Sequence, residues 1–262
     1  MTMQTFSPVY GPVQSWRYGR SLGIDAIGPV STCSFHCVYC QLGNIEHPSI
    51  TRQLFVPTAV IMDALLGWNW STIDAITLSG SGEPTLAANL GAILTEIQSM
   101  SDRPLIVLTN GTLLRDASVQ QELYAATEVS VKVDAVTPDR FQRISRPFFP
   151  IDWPLFCTGI QQFRQRYHGK LSLQTMIVAP WSEQEQRTYI HYLSAWQPDV
   201  IYLNRPVRPK PRQRLLAGRE NLTTAPNALW FKPVADARLH QFATAITEQT
   251  GIPVRCAPIL RE

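Results

Sequence analysis

Apolar, β-branched residues recur along the chain in short runs, and the stretches between them carry helical spacing, the alternation a parallel sheet with crossover helices requires. The runs predict strands near Gly23–Val30, Ile73–Ser79, Leu105–Thr109, Glu128–Val133, Leu171–Val178 and Val200–Asn204. The intervening spacing predicts helices over Thr58–Gly67, Ala87–Met100, Ala117–Ala126, Trp153–Tyr167 and Glu183–Trp196, with a last one over Val234–Thr250. Six parallel strands with intervening helices make either a doubly wound sheet or an open partial (β/α)6 barrel. There is no internal repeat, and the one irregular segment is Arg205–Pro226, rich in proline and arginine.

Composition changes this picture little. A chain of 262 residues, 45% hydrophobic and 16% charged, is the size of one ordinary α/β domain, so residues 1–262 are expected to form a single unit. No apolar run approaches the roughly 18 residues that suggest a bilayer span. Met1 to Tyr10 lacks the basic region and apolar core of an export signal. A cytoplasmic location without membrane association is expected. Five cysteines, three of them clustered, suit a reducing compartment better than disulfide pairing. The outlying Cys157 and Cys256 read as small buried hydrophobes.

The clustered thiols carry the most chemistry. Cys33, Cys37 and Cys40 stand in the run Cys33-Ser34-Phe35-His36-Cys37-Val38-Tyr39-Cys40, a C-x3-C-x2-C spacing. Three close thiolates can hold three irons of a four-iron cluster and leave the fourth iron open to an outside molecule. Zinc is the competing reading, but structural zinc sites close with four ligands, commonly in C-x2-C pairs, and only His36 offers itself as the fourth.

In parallel α/β folds ligands sit at the carboxyl ends of strands, so the strand ends are read next. The second predicted strand runs into Ser79-Gly80-Ser81-Gly82-Glu83-Pro84-Thr85-Leu86, where glycines permit close backbone approach and Glu83 adds a negative charge; a plain turn before a helix is the alternative. The third ends Leu108-Thr109-Asn110-Gly111, with Asn110 at a turn or facing a ligand. The fourth reads Val131-Lys132-Val133-Asp134, and period-two alternation puts Lys132 and Asp134 on one face. If the valines pack under helices, that pair points into the barrel and must either pair internally or meet a charged ligand. The fifth and sixth strands offer Gln174 and Asn204.

The cysteine loop, with Tyr39 before its last thiol, resembles the signature loop of the radical S-adenosylmethionine (SAM) superfamily, and Gly80–Glu83 resembles its "GGE" motif. The resemblance narrows through Tyr10–Asp25, Tyr39-Cys40-Gln41-Leu42-Gly43, Lys132-Val133-Asp134-Ala135, Arg143-Ile144-Ser145-Arg146-Pro147 and Leu203-Asn204-Arg205-Pro206. These look like the radical SAM group related to wyosine (4-demethylwyosine) synthases. Those synthases carry further cysteines upstream for a second cluster, and no cysteine precedes Cys33 here. The resemblance implies an open partial (β/α)6 barrel, its core spanning about residues 11–211, with a helix and strand following in 227–262. It implies one 4Fe–4S cluster on Cys33, Cys37 and Cys40, with SAM chelating the open iron. It also implies SAM contacts from Tyr39, Gly80, Ser81, Gly82, Glu83, Asn110, Lys132, Asp134, Gln174 and Asn204, and an electron donor such as flavodoxin or ferredoxin.

Net charge, +3, says little about partners, but its distribution says more. Arg205, Arg208, Lys210, Arg212, Arg214 and Arg219 face a single carboxylate, Glu220, and Arg17 and Arg20 lie beside Trp16 and Tyr18. Basic groups among aromatics suit phosphate contact and base stacking, so a tRNA or other RNA substrate is the preferred expectation. Alternatively the segment is a solvated, proline-stiffened loop covering the open side of the barrel. A peptide or protein substrate and a non-catalytic iron–sulfur electron carrier are the other functional readings.

Overall fold

The computed structural model describes residues 6–225 and 227–258. Pro226, which ends the predicted irregular segment, and residues 259–262 of the C-terminal extension lie outside the described residues. In chain order the elements are β1 (Val9–Ser15), β2 (Gly19–Ile24), β3 (Thr32–Cys33), β4 (His47–Pro48), α1 (Thr58–Leu65), β5 (Ala75–Leu78), α2 (Leu90–Met100), β6 (Leu105–Thr109) and α3 (Ala117–Leu123). They continue with β7 (Glu128–Lys132), α4 (Pro138–Ile144), α5 (Trp153–Arg166), β8 (Lys170–Met176), α6 (Glu183–Trp196), β9 (Val200–Asn204), α7 (Asp236–Thr250) and β10 (Val254–Cys256).

The main sheet has the order β1-β2-β5-β6-β7-β8-β9-β10, parallel from β2 onward, with β1 antiparallel at one edge. The six predicted strands are neighbours in chain order. A doubly wound sheet would reverse direction at a switch point, so the fold is the curled parallel half-barrel with helices outside. β3 and β4 form a separate two-stranded ladder in the loop after β2.

Local chemistry explains where expectation and element differ. The first strand is placed at Gly19–Ile24 rather than Gly23–Val30 because the Asp25 carboxylate accepts from Ile27 N and Gly28 N, both at 3.1 Å, turning the chain out of the sheet. α2 begins at Leu90 rather than Ala87: Pro84–Leu86 forms a 3-10 turn, and Ala87 leaves it extended. α4 was not expected; Thr137 caps it through Arg140 N and Pro138 pre-sets its first turn, but Phe141 is its one buried side chain, too little for a periodic signal. α6 carries a full capping box from Ser182 and Glu185.

Strand alternation sorts the side chains. Val129, Val131, Leu171 and Leu173 join the buried apolar layer beneath the helices. Glu128, Ser130 and Lys132 on β7 and Ser172 and Gln174 on β8 carry the opposite parity and face the lumen. Buried polar groups must be hydrogen-bonded. Ser172 Oγ donates to Glu128 (2.6 Å) and lies 2.8 Å from Ser130 Oγ, which also accepts from Gln174 Nε2 at 2.8 Å. At the amino end of the barrel, Glu128 also takes Lys170 Nζ (2.7 Å) and the Tyr18 hydroxyl (2.9 Å). Tyr18 belongs to the β1–β2 turn, and both Trp16 and Tyr18 meet the Tyr202 ring of β9 edge-on, at 5.8 and 5.9 Å between centroids. The first hairpin thus reaches across to the far edge of the half-barrel. Glu128→Ala should strip an acceptor from three donors and lower unfolding free energy by about 2 kcal/mol, read from the shift in urea midpoint.

Candidate functional site

The cysteine loop, the glycine-rich turn and Asn110 follow β2, β5 and β6, so all three gather at the carboxyl end of the barrel. The loop is held by backbone bonds that leave the thiols free. Thr32 N donates to Ser81 O (3.0 Å) and Glu83 N to Thr32 O (3.0 Å), stitching the loop to the glycine-rich turn. His36 N donates to Ser145 O (3.1 Å), Val38 N to Ile144 O (3.0 Å) and Phe148 N to Ser34 O (3.0 Å). The Arg143–Pro147 motif is thereby a bracket for the cysteines, made possible by the left-handed turn at Arg146 (φ 47°).

Two sulfur atoms have particular partners. Cys33 Sγ receives Phe35 N at 3.4 Å and Asn110 Nδ2 at 3.7 Å. Asn110 is fixed by Ser34 Oγ, 2.9 Å from Nδ2, and by Thr112 N, 2.9 Å from Oδ1. Burial pushes the Cys37 thiol up to about 11, while the neighbouring Lys132 ammonium pulls toward the thiolate. Burial likewise raises Cys33 and Cys40. Among the described residues no three His, Cys, Asp or Glu groups converge on one metal-ion position.

Lys132 and Asp134 do come together. Lys132 Nζ lies 2.8 Å from Asp134 Oδ2 and 2.8 Å from Ser145 Oγ, and the Tyr39 hydroxyl donates to the same Asp134 oxygen. Asp134 Oδ1 accepts from Met176 N at 2.9 Å. Burial and then the Asp134 charge raise Tyr39 well above its ordinary value. The Tyr39 hydroxyl thus ties the cysteine loop to Asp134, just past the end of β7.

Glu83 is turned inward. Its carboxylate accepts from Thr85 N (3.1 Å), Thr85 Oγ1 (2.7 Å), Thr109 Oγ1 (2.7 Å) and Asn110 N (2.7 Å), and burial holds it above the usual carboxylate range against those bonds. The carboxylate is committed to positioning the end of β6, and the face left to a ligand is backbone. A Cβ on Gly82 would lie 1.7 Å from Thr32 O, so the residue before Cys33 can approach only glycine. Gly82→Ala should displace the cysteine loop, cost about 1–3 kcal/mol and at least halve the iron retained after reconstitution, measured by iron analysis. Gln174 is spent on Ser130, deeper in the lumen, and Asn204 Oδ1 accepts from Arg205 N at 2.8 Å at the barrel edge.

The basic segment turns inward. Arg205 pairs with Asp236, and Lys210, buried, donates to Cys37 O at 3.1 Å. Arg214 donates to Ser81 Oγ (2.8 Å), and Arg219 pairs with Asp25 (2.8 Å) beneath the Tyr10 ring. Arg208 is half-buried, and Arg212 alone of the six cations is exposed. Leu215 N bonds Leu42 O at 2.9 Å, and a Cβ on Gly43 or Gly218 would strike Gln213 O or Gln41 O at 2.0 or 2.1 Å. Residues 205–221 therefore form a strap packed on the cysteine loop, mostly buried or half-buried where the alternative expectation had a solvated loop. Asp25 and Ser34 escaped the sequence reading, and Lys210, Arg214 and Arg219 were read only as part of a basic run, because nothing local announces partners so distant in the chain.

The model of the radical SAM superfamily matches residues 27–191. UPF0026 protein slr1464 of Synechocystis sp. is 52% identical over 259 residues, covering 97% of this chain and 98% of its own. UPF0026 protein MJ1312 of Methanocaldococcus jannaschii is 34% identical over 206 residues, 76% of this chain and 64% of its own. Among solved structures, Streptococcus suis SuiB bound to precursor peptide SuiA shares the fold with a TM-score of 0.61 at 12% identity, covering 88% of this chain and 47% of that one. Three cysteines at C-x3-C-x2-C spacing, set at the mouth of a parallel half-barrel and joined by these matches, place the chain in the radical SAM superfamily, enzymes that work with a 4Fe–4S cluster and SAM, and with the UPF0026 proteins within it.

Proposed function

We propose that Cys33, Cys37 and Cys40 each hold one iron of the cluster, and that the backbone of Gly80–Glu83, with Tyr39, Asn110, Lys132 and Asp134, flanks the bound SAM. The observation that carries this is the gathering of the cysteine loop, the glycine-rich turn and Asn110 at the carboxyl ends of β2, β5 and β6. When bound, the cluster and SAM supply a 5′-deoxyadenosyl radical that removes a hydrogen atom from the substrate. The protein's own residues supply the setting. Lys132 favours the thiolate of Cys37, the donors Phe35 N and Asn110 Nδ2 turn toward Cys33, and the strap, bonded through Lys210 to Cys37 O, shields the loop from water.

Gln174, bonded to Ser130 deeper in the lumen, and Asn204, whose Oδ1 accepts from Arg205 N, complete the candidate cofactor contacts. The preference for RNA rested on the Arg205–Arg219 run, on Arg17 and Arg20 beside Trp16 and Tyr18, and on the subgroup resemblance; five of the run's six cations are buried or half-buried, so the run itself lends it little support, and no observation favours a polypeptide instead. A one-electron donor of the flavodoxin or ferredoxin kind is the partner, and the whole chain acts as one domain around the strap. The electron paramagnetic resonance signal of the reduced cluster should change when SAM is added. A signal insensitive to SAM would count against SAM binding at the cluster.

A further inference from the structure

Lys210 is held in the strap with little freedom. It stands in Arg208-Pro209-Lys210-Pro211, where a residue ahead of proline is pushed toward extended backbone. Its N donates to Leu229 O at 2.9 Å and its O accepts from Leu229 N at 2.8 Å, a two-way bridge that fixes the chain at this residue. The side chain turns inward from that bridge. Lys210 is 5% exposed, and its ammonium donates to Cys37 O at 3.1 Å.

The cations around the thiols differ in how they are answered. Burial raises the Cys40 thiol, and against it act the Leu42 backbone and the charges of Lys210, Arg214 and Lys132. Lys132 pairs with Asp134 at 2.8 Å, and Arg214 with Glu46 at 3.3 Å. Lys210 enters no ion pair among the described residues, and Cys37 O is the one hydrogen-bond acceptor they give its ammonium. Glu83, the other carboxylate of the site, is taken up by Thr85, Thr109 and Asn110. Burial lowers the Lys210 ammonium below the usual lysine range, and the charges that support it are those of Cys40 and Cys37. Arg146, whose carbonyl accepts from His36 N, adds a like charge. An ammonium buried beside one carbonyl is costly, and thiols that keep their protons do not offset it. A four-iron cluster with three thiolates carries net negative charge, and its reduction adds one more.

We propose that Lys210 is a positioning residue that supplies the counter-charge of the cluster, easing its reduction and coupling the seating of the strap to cluster occupancy. The inference rests on the cluster part of the reading above and not on SAM cleavage. In the step concerned, one electron passes to the cluster from an outside donor, dithionite in the test, which is oxidised by that electron. No bond forms or breaks, no proton moves, and the cation beside the thiolates stabilises the added charge.

The test compares wild type with Lys210→Met, Lys210→Gln and Lys210→Arg, and with Arg212→Met as the exposed control on the strap. Each full chain is studied metal-free and after anaerobic reconstitution. The loaded proteins are titrated with dithionite against redox dyes, without SAM, and the reduced cluster is read by electron paramagnetic resonance. At a fixed potential the ratio of reduced to oxidised cluster should fall about tenfold in Lys210→Met and Lys210→Gln, a shift of about 59 mV for one electron. Lys210→Arg should restore most of that ratio, and Arg212→Met should match wild type. A lysine that only packs the strap would leave the potential where it is. Thermal unfolding supplies a readout that needs no loaded variant. Metal-free Lys210→Met should melt no lower than metal-free wild type, because it loses a buried charge that the protein does not answer. Reconstitution should then raise the Tm of wild type more than that of Lys210→Met. The inference is overturned if the neutral variants share the wild-type potential, or if metal-free Lys210→Met melts below metal-free wild type. A wild type that loads no cluster would overturn the cluster reading and this inference together. A loaded wild type that leaves SAM intact would overturn SAM cleavage alone, with the potentials still deciding the role of Lys210.

Discussion

Cys37→Ala is expected to bring iron after anaerobic reconstitution from about four per chain to a small remainder, and SAM cleavage to background. The effect is one of ligation, not folding. The loop around Cys37 is held by His36 N to Ser145 O, Val38 N to Ile144 O and Cys40 N to Cys37 O, all backbone bonds that alanine keeps. Thermal unfolding of the metal-free variant should therefore match that of the metal-free wild type. Lys132, deprived of the sulfur it stands beside, keeps Asp134 and Ser145. Cys157→Ala, on α5 and away from the loop, should retain full iron and activity. Retention of four irons by Cys37→Ala would remove it from the ligand set.

Asp25→Ala should be the most damaging change outside the cysteines. Asp25 is fully buried and accepts from Ile27 N, Gly28 N, Ser81 N and Ser81 Oγ while pairing with Arg219. It joins the end of β2, the glycine-rich turn and the strap at one carboxylate. Removing it leaves the Arg219 cation buried with Ser7 O and the Phe6 and Tyr10 rings, a loss of about 3–5 kcal/mol for a broken buried pair. Against a typical total of about 5–15 kcal/mol, that is enough to populate unfolded protein. Urea unfolding should show the drop, and Arg219→Met on the Asp25→Ala background should recover part of it, because the uncompensated charge is then gone. Equal loss in single and double variants would mean the backbone donors, not the ion pair, carry the effect.

Periodicity read from the sequence located the six parallel strands and placed Lys132 and Asp134 on one face, because alternation along β7 is a property of the strand itself. The C-x3-C-x2-C spacing and the Gly80–Glu83 turn were legible for the same reason: their partners are near in sequence. What escaped is long-range. Asp25 and Arg219 are 194 positions apart, and no local pattern couples them. The basic run was visible as composition, yet charge alone does not say whether an arginine turns toward solvent or toward the barrel. Strand β1 was missed since its burial alternates weakly around Gly11 and Pro12, and α4 since seven residues with one buried apolar side chain leave no period to detect.

Whether Cys33, Cys37 and Cys40 carry a cluster that cleaves SAM is decided by one experiment. The direct measurement is anaerobic: reconstitute the chain, quantify iron and sulfide, add SAM with dithionite, and measure 5′-deoxyadenosine. About four irons and four sulfides per chain are expected, with deoxyadenosine formed in proportion to loaded protein. A full cluster that leaves SAM intact across several reductants, or zinc taken up in place of iron, would contradict it.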